Sequence, residues 1–137
     1  MDGRKIFINL PVKDLKKSMS FYEAIGFRNN PQFTDNTAAC MVVSEAIYVM
    51  ILTHEKFKGF TPKQIVDATK SSEVLNSLSC ESRAEVDDVL AKATAAGGTR
   101  YADAKDYGFM YQHGFQDPDG HIWEVFYMDI TKFPKQG

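Results

Sequence analysis

The sequence is short of most features that announce a function directly. Only two cysteines occur in its 137 residues, Cys40 and Cys80, and neither has a second cysteine nearby. A secreted disulfide framework and a cysteine-based metal motif are thereby excluded, and a reducing compartment suits the chain. An excess of one charge is missing too: sixteen Lys and Arg against eighteen Asp and Glu leave a formal charge of −2. No general positive field exists to draw the protein onto nucleic acid or anionic membranes. Long apolar runs are absent, because the longest, residues 46–52, falls far short of the ~20 residues that a membrane-spanning helix needs. The opening residues carry Asp2, Arg4 and Lys5 before a stretch broken by Pro11 and Lys13, which is not the apolar core of a secretory signal. These absences predict a cytoplasmic protein whose partners are small molecules and proteins, with neither nucleic acid nor membrane among them.

What is present is a pattern stated twice. Hydrophobic residues make up 44% and charged residues 25% of the chain, a composition suited to one domain that buries roughly two-thirds of its unfolded surface. In Phe7-Ile8-Asn9-Leu10-Pro11-Val12, Ile8, Leu10 and Val12 share one side and Phe7, Asn9 and Pro11 the other, as the period of two in a strand requires. Asp14 is placed to cap a helix, apolar positions recur at Leu15, Met19, Tyr22 and Ile25, and Gly26 supplies the stop. In the second half, residues 75–81 read as a strand, and Ser82 with Glu85 forms a capping box. Val86, Val89, Leu90 and Ala93 then make a helical stripe, and Gly97-Gly98 ends it. Each glycine stop is followed by three β-prone runs: 28–33, 37–43 and 46–53, then 99–102, 109–116 and 121–128.

The predicted architecture is therefore α+β, two tandem βαβββ modules in a single domain spanning 1–137. Module 1 covers about 4–54, a connecting segment 55–74, and module 2 about 75–130. In the connecting segment Thr61 and Pro62 are suited to begin a short helix through Val66. Asp117-Pro118-Asp119-Gly120 is the strongest turn in the chain and predicts a hairpin.

Three stretches carry a family resemblance. They are Phe7 to Leu15 running into Ser20-Phe21-Tyr22 and Gly26-Phe27, the second-half strand and helix to Gly97-Gly98, and Phe115-Gln116-Asp117-Pro118-Asp119-Gly120-His121-Ile122-Trp123-Glu124. Together they resemble the vicinal oxygen chelate superfamily, which contains glyoxalase I, bleomycin-resistance proteins, fosfomycin-resistance proteins and extradiol dioxygenases. Within it, the sequence is most similar to bacterial lactoylglutathione lyase-type proteins. The resemblance implies a curved mixed sheet forming a cup, and a homodimer.

It also implies where a metal would be held in metal-using members, and those positions fall on Phe7, Leu75, Met50 or Ile51, and Glu124. Only Glu124 offers a ligating side chain, whereas a catalytic zinc site generally takes three protein ligands. No cofactor is expected on this reading.

If Phe7 faces the cup, so do Asn9 and Pro11, and Glu124 shares its strand face with Ile122, Phe126 and Met128. A simple two-residue turn at Pro118-Asp119 would set His113 directly opposite Glu124, within hydrogen-bonding reach. The candidate catalytic residues are then Glu124, His113 and Asn9, with Asn9 donating to an oxygen that gains charge. Phe7, Met50, Tyr107, Phe109, Tyr111 and Phe126 are candidates for substrate contact, against the simpler alternative that such aromatics are core.

Three functions follow. The first is a glyoxalase-like lyase or isomerase moving a proton next to a carbonyl without the usual metal site. The second is a metal-free protein of the bleomycin-resistance type that sequesters a small molecule. The third retains a divalent metal held by Glu124 and His113, completed by a neighbouring chain or by ligand oxygens. The plainer alternative to proton handling is that His113 and Glu124 form a structural hydrogen-bonded pair or that both bind a polar group of a ligand.

Overall fold

The computed structural model describes residues 3–132. The chain divides between Ala68 and Thr69 into two compact units. Unit 1 contains β1 (Ile6–Val12), α1 (Leu15–Ala24), β2 (Arg28–Asn30), β3 (Ala38–Val42), β4 (Ile47–Thr53) and α2 (His54–Lys58). Its sheet has the order β1-β4-β3-β2, with β1 parallel to β4 and the other neighbours antiparallel. Unit 2 contains β5 (Asn76–Ser79), α3 (Arg83–Ala95), β6 (Thr99–Asp106), β7 (Met110–Gln116) and β8 (Ile122–Met128). The sheet order β5-β8-β7-β6 repeats the same plan, again with the first strand parallel to the last. Each unit is thus the βαβββ module that the repeated pattern predicts.

The helices begin and end where their local chemistry dictates. The Asp14 carboxylate accepts the N–H of Lys17 at 3.1 Å, and the Ser82 hydroxyl accepts that of Glu85 at 3.1 Å, which satisfies a first-turn donor in each helix. Glu85 reaches back to accept the N–H of Glu81 at 2.7 Å, one residue before the donor of a standard capping box. At the other ends, Gly26 (φ 110°) and Gly97 (φ 103°) adopt the left-handed turn. The next residues then close back onto the helix, Phe27 N–H to Tyr22 C=O at 3.0 Å and Gly98 N–H to Ala93 C=O at 2.9 Å.

Strand parity divides each sheet into a face under its helix and an opposite face. In unit 1, Leu10, Val12, Met41, Val49 and Ile51 are buried with Phe21, Tyr22 and Ile25 of the helical segment. Phe7 and Asn9 on the alternate positions of β1 are exposed. In unit 2, Val86, Leu90 and Ala93 of α3 are buried, as are Phe115, Trp123 and Val125 of the sheet. Trp123 is core, as its side of the strand predicts. The buried stripe of α1 includes Ser18, while Met19 is half-buried; no apolar pattern reveals a serine on that face.

Three local expectations are corrected. The short helix lies at His54–Lys58, capped by the Thr53 hydroxyl accepting from Lys56 N–H at 3.2 Å, and not at 61–66. Thr61 instead accepts from Lys63 N–H at 3.2 Å in a local turn. Strand β2 stops at Asn30, because Pro31 has no N–H for the ladder and the Asn30 side chain accepts from Gln32 N–H at 3.0 Å. By contrast β6 runs on to Asp106, with register shifts between Arg100 and Ala102 and between Ala102 and Lys105.

Candidate functional site

The hairpin from β7 to β8 decides which side chains meet. Asp117 N–H donates to His121 C=O at 3.0 Å, and Gly120, with φ 93°, donates its N–H to Asp117 C=O at 3.0 Å. The connection is therefore a three-residue loop, Pro118-Asp119-Gly120, ending in a left-handed glycine. The Asp117 carboxylate fastens it by accepting from Asp119 N–H at 3.0 Å and His121 N–H at 2.8 Å. Compared with the two-residue turn assumed from sequence, the extra residue moves the register by one.

That single step separates the proposed catalytic pair. Gly114, not His113, lies opposite Glu124, and His113 pairs with Val125. Since the side-chain period of a strand is two, a shift of one sends His113 to the other face. There it is buried, with Nδ1 accepting the N–H of Gly114 at 3.0 Å and Nε2 facing Arg100 Nη2 at 3.4 Å. Burial first, and the Arg100 charge second, hold the His113 pKa below its ordinary value, against the opposing pull of Asp87 and Asp103.

Tyr111 lies on that same face. Its hydroxyl donates to Asp87 of α3 at 2.6 Å, and the Arg83 guanidinium lies 5.1 Å from the ring centroid. Arg83 in turn makes two hydrogen bonds to Asp106, at 2.7 and 3.0 Å, which hold the Asp106 carboxyl down at about 2. Tyr111 is thus a brace between strand and helix, not a wall beside Glu124. Tyr107 is exposed in the β6–β7 turn and lies 6.3 Å from the half-buried Phe109, outside the paired strands.

Glu124 occupies the opposite face of the unit 2 sheet, with Phe126 two residues along and Ser77 and Gly114 paired across. Its two carboxylate oxygens are held from both sides. Ser77 Oγ of β5 donates to Oε1 at 2.9 Å, and Gln112 Nε2 of β7 donates to Oε2 at 2.9 Å. Neither donor was singled out from sequence. Ser77 comes from a distant strand brought alongside by the parallel β5–β8 pairing, while Gln112 is on Glu124's face only in the observed register.

Of the unit 1 candidates, Phe7, Asn9 and Met50 do share a face. Phe7 stacks on Tyr48 with ring centroids 4.6 Å apart, and Lys5 Nζ sits 5.6 Å from the Tyr48 centroid. Asn9 pairs with Met50, and its Nδ2 donates to Phe7 C=O at 3.4 Å. Tyr48 was missed, although the parallel register with β1 puts it beside Phe7.

The side chains do not fit a divalent metal of the usual kind. Among the described residues no group of three or more His, Cys, Asp or Glu is arranged to hold an ion. Glu124 is met by O–H and N–H donors, the complement of an anion, and not by further lone pairs aimed at a shared cation. The cysteines add no nucleophile: burial raises both thiols, and Cys80, with Glu85 and Glu81 adding to the effect, is pushed up to about 11. No described helix is long and apolar enough to cross a membrane.

Comparison with known proteins places this geometry. Residues 4–44 match the family model of the bleomycin resistance protein-like N-terminal domain. Among curated proteins no sequence matches the chain. A hypothetical protein from S. aureus is 29% identical, with 93% of this chain and 95% of that one covered and a TM-score of 0.77. A glyoxalase-related enzyme from Fulvimarina pelagi is 20% identical over 91% of this chain and 88% of its own, with a TM-score of 0.76. The genomically encoded fosfomycin resistance protein from Listeria monocytogenes is 17% identical over 99% and 97%, with a TM-score of 0.67. The chain has the glyoxalase/bleomycin-resistance fold, and the bleomycin resistance protein-like family match covers its N-terminal residues 4–44.

Proposed function

We propose that the protein binds a small molecule in the manner of a bleomycin-resistance protein, with Glu124 as the polar anchor and without a resident metal. The observation that carries this reading is the clamp on Glu124. Ser77 and Gln112 fix both carboxylate oxygens, while neither a histidine nor a second carboxylate stands at a position paired with it. A proton relay needs a partner within hydrogen-bond reach. The partner expected from sequence, His113, is on the other face, so the geometry favours recognition over proton transfer. Phe126 beside the carboxylate supplies apolar contact of the kind that lines ligand sites. The N-terminal family match agrees with this choice. A homodimer belongs to the same proposal, because each sheet ends on edge strands that a second copy can cover.

A fragment set screened by amide NMR tests the reading. Binders should shift amides around Glu124, lose affinity in Glu124→Gln, and be recovered chemically unchanged. Conversion of a carbonyl-bearing fragment to product that Glu124→Gln abolishes would replace this reading with the glyoxalase-like lyase. Binding that is indifferent to the substitution would remove Glu124 from the site.

A further inference from the structure

The clamp on Glu124 leaves a defined vacancy for hydrogen bonds. A carboxylate accepts at about four lone-pair sites, two on each oxygen. Ser77 uses one on Oε1 and Gln112 one on Oε2, so each oxygen retains one acceptor site. Two acceptors on adjacent oxygens match two parallel N–H donors on one planar group, the fork geometry of a bidentate pair.

A second feature supplies the surface on which such a plane would lie. Arg100 pairs with Phe115 and Ala102 with Gly114, so Tyr101 is the extra residue of a bulge in β6. Bulges re-aim side chains, and this one turns Tyr101 over the neighbouring strand. Its Cδ1 lies 3.1 Å and its Cβ 3.5 Å from where a Cβ of Gly114 would stand. The ring therefore occupies the side-chain space that Gly114 leaves empty, on the face shared with the directly paired Glu124. Paired positions hold their Cβ atoms about 4.5–5.5 Å apart, so the ring and the Glu124 side chain rise from neighbouring points of one face. Tyr101 is 44% exposed, so part of the ring is available to a ligand.

Resting on the binding function proposed above, we infer that the ligand class is a planar cation with forked N–H donors: an amidinium, a guanidinium or a protonated amino-heterocycle. It pairs bidentately with Glu124 and stacks on Tyr101. A cation over a tyrosine face gains from the ring quadrupole, and the flat donor group satisfies the carboxylate and the ring together. Gly114 determines specificity by absence, since any side chain there competes with the ring.

Benzamidinium is the probe, with benzamide, benzylammonium and benzoate as comparisons, each followed by amide NMR titration of the full chain. Benzamidinium should shift amides around Glu124 and Gly114 and bind best, with Glu124→Gln weakening it about tenfold or more, the loss of a charge-assisted pair. Tyr101→Leu, which keeps an apolar side chain on the bulge, should weaken benzamidinium about threefold to tenfold and leave benzylammonium less affected. Ser77→Ala keeps Gln112 in place and serves as a folded control with a smaller loss. Equal binding of benzamide or benzylammonium, or tighter binding of benzoate, overturns the ligand class. If other fragments bind this face in a Glu124-dependent manner while benzamidinium does not, the class fails and the binding function stands. If nothing binds there, both fail.

Discussion

Ser18 offers the sharpest test of how this fold is held together. It lies on the buried face of α1, 1% exposed, and among the described residues its hydroxyl has no hydrogen-bond partner. The contrast within the same protein is Thr94 of α3, whose hydroxyl donates to Leu90 C=O at 2.8 Å. Ser18 makes no such bond to Asp14 C=O, which accepts Ser18's own N–H at 3.0 Å. An unsatisfied buried hydroxyl costs about 1–3 kcal/mol. Replacing Ser by Ala also raises helix propensity by up to about 0.5 kcal/mol. Against this stands lost dispersion: one interior oxygen touching on the order of five atoms contributes about 0.5–1 kcal/mol. The balance is a stabilisation of about 1–2 kcal/mol in Ser18→Ala. Urea unfolding followed by far-UV circular dichroism reads it as a higher midpoint with an unchanged slope, and a thermal scan as a rise of about 4 °C or more. If the two units unfold separately, only the unit 1 transition should move. A variant as stable as the wild type, or less, would refute the accounting and show that the hydroxyl has a favourable role in that interface.

Two further outcomes follow from titration. The folded pKa of His113 lies below its unfolded value, so the unfolded chain binds more protons between the two. Stability is then complete above about pH 6.5 and is lost as pH falls through the folded value. His113→Gln should flatten that part of the pH–stability curve measured by urea unfolding, and an unchanged slope would count against His113 as its source. For Cys80, a thiol pKa of about 11 leaves roughly one thiolate in a thousand at pH 8. Reaction with Ellman's reagent should be slow in the folded protein and fast in urea; rapid labelling when folded would contradict the raised pKa of this half-buried thiol.

How far the letters reach can be judged at particular residues. The repeat, the caps at Asp14 and Ser82 and the stops at Gly26 and Gly97 are legible because each depends on a few neighbouring residues and a fixed period. The core assignment of Trp123 is legible for the same reason, since strand parity is local. Glu124 could be placed on its strand face, and Phe126 with it. What surrounds Glu124 could not be read, because that depends on how separate strands align. Pro118 and Gly120 signal a turn whether its loop holds two residues or three, and only the closed hairpin, with Asp117 bonded to His121, fixes three. That one residue exchanges His113 for Gly114 and brings Gln112 to Glu124, while the β5–β8 pairing brings Ser77. The sequence by itself determined the two modules and the face on which Glu124 stands; the tertiary structure decided its company, because register is a property of pairs of strands and a shift of one residue reverses every side chain along them.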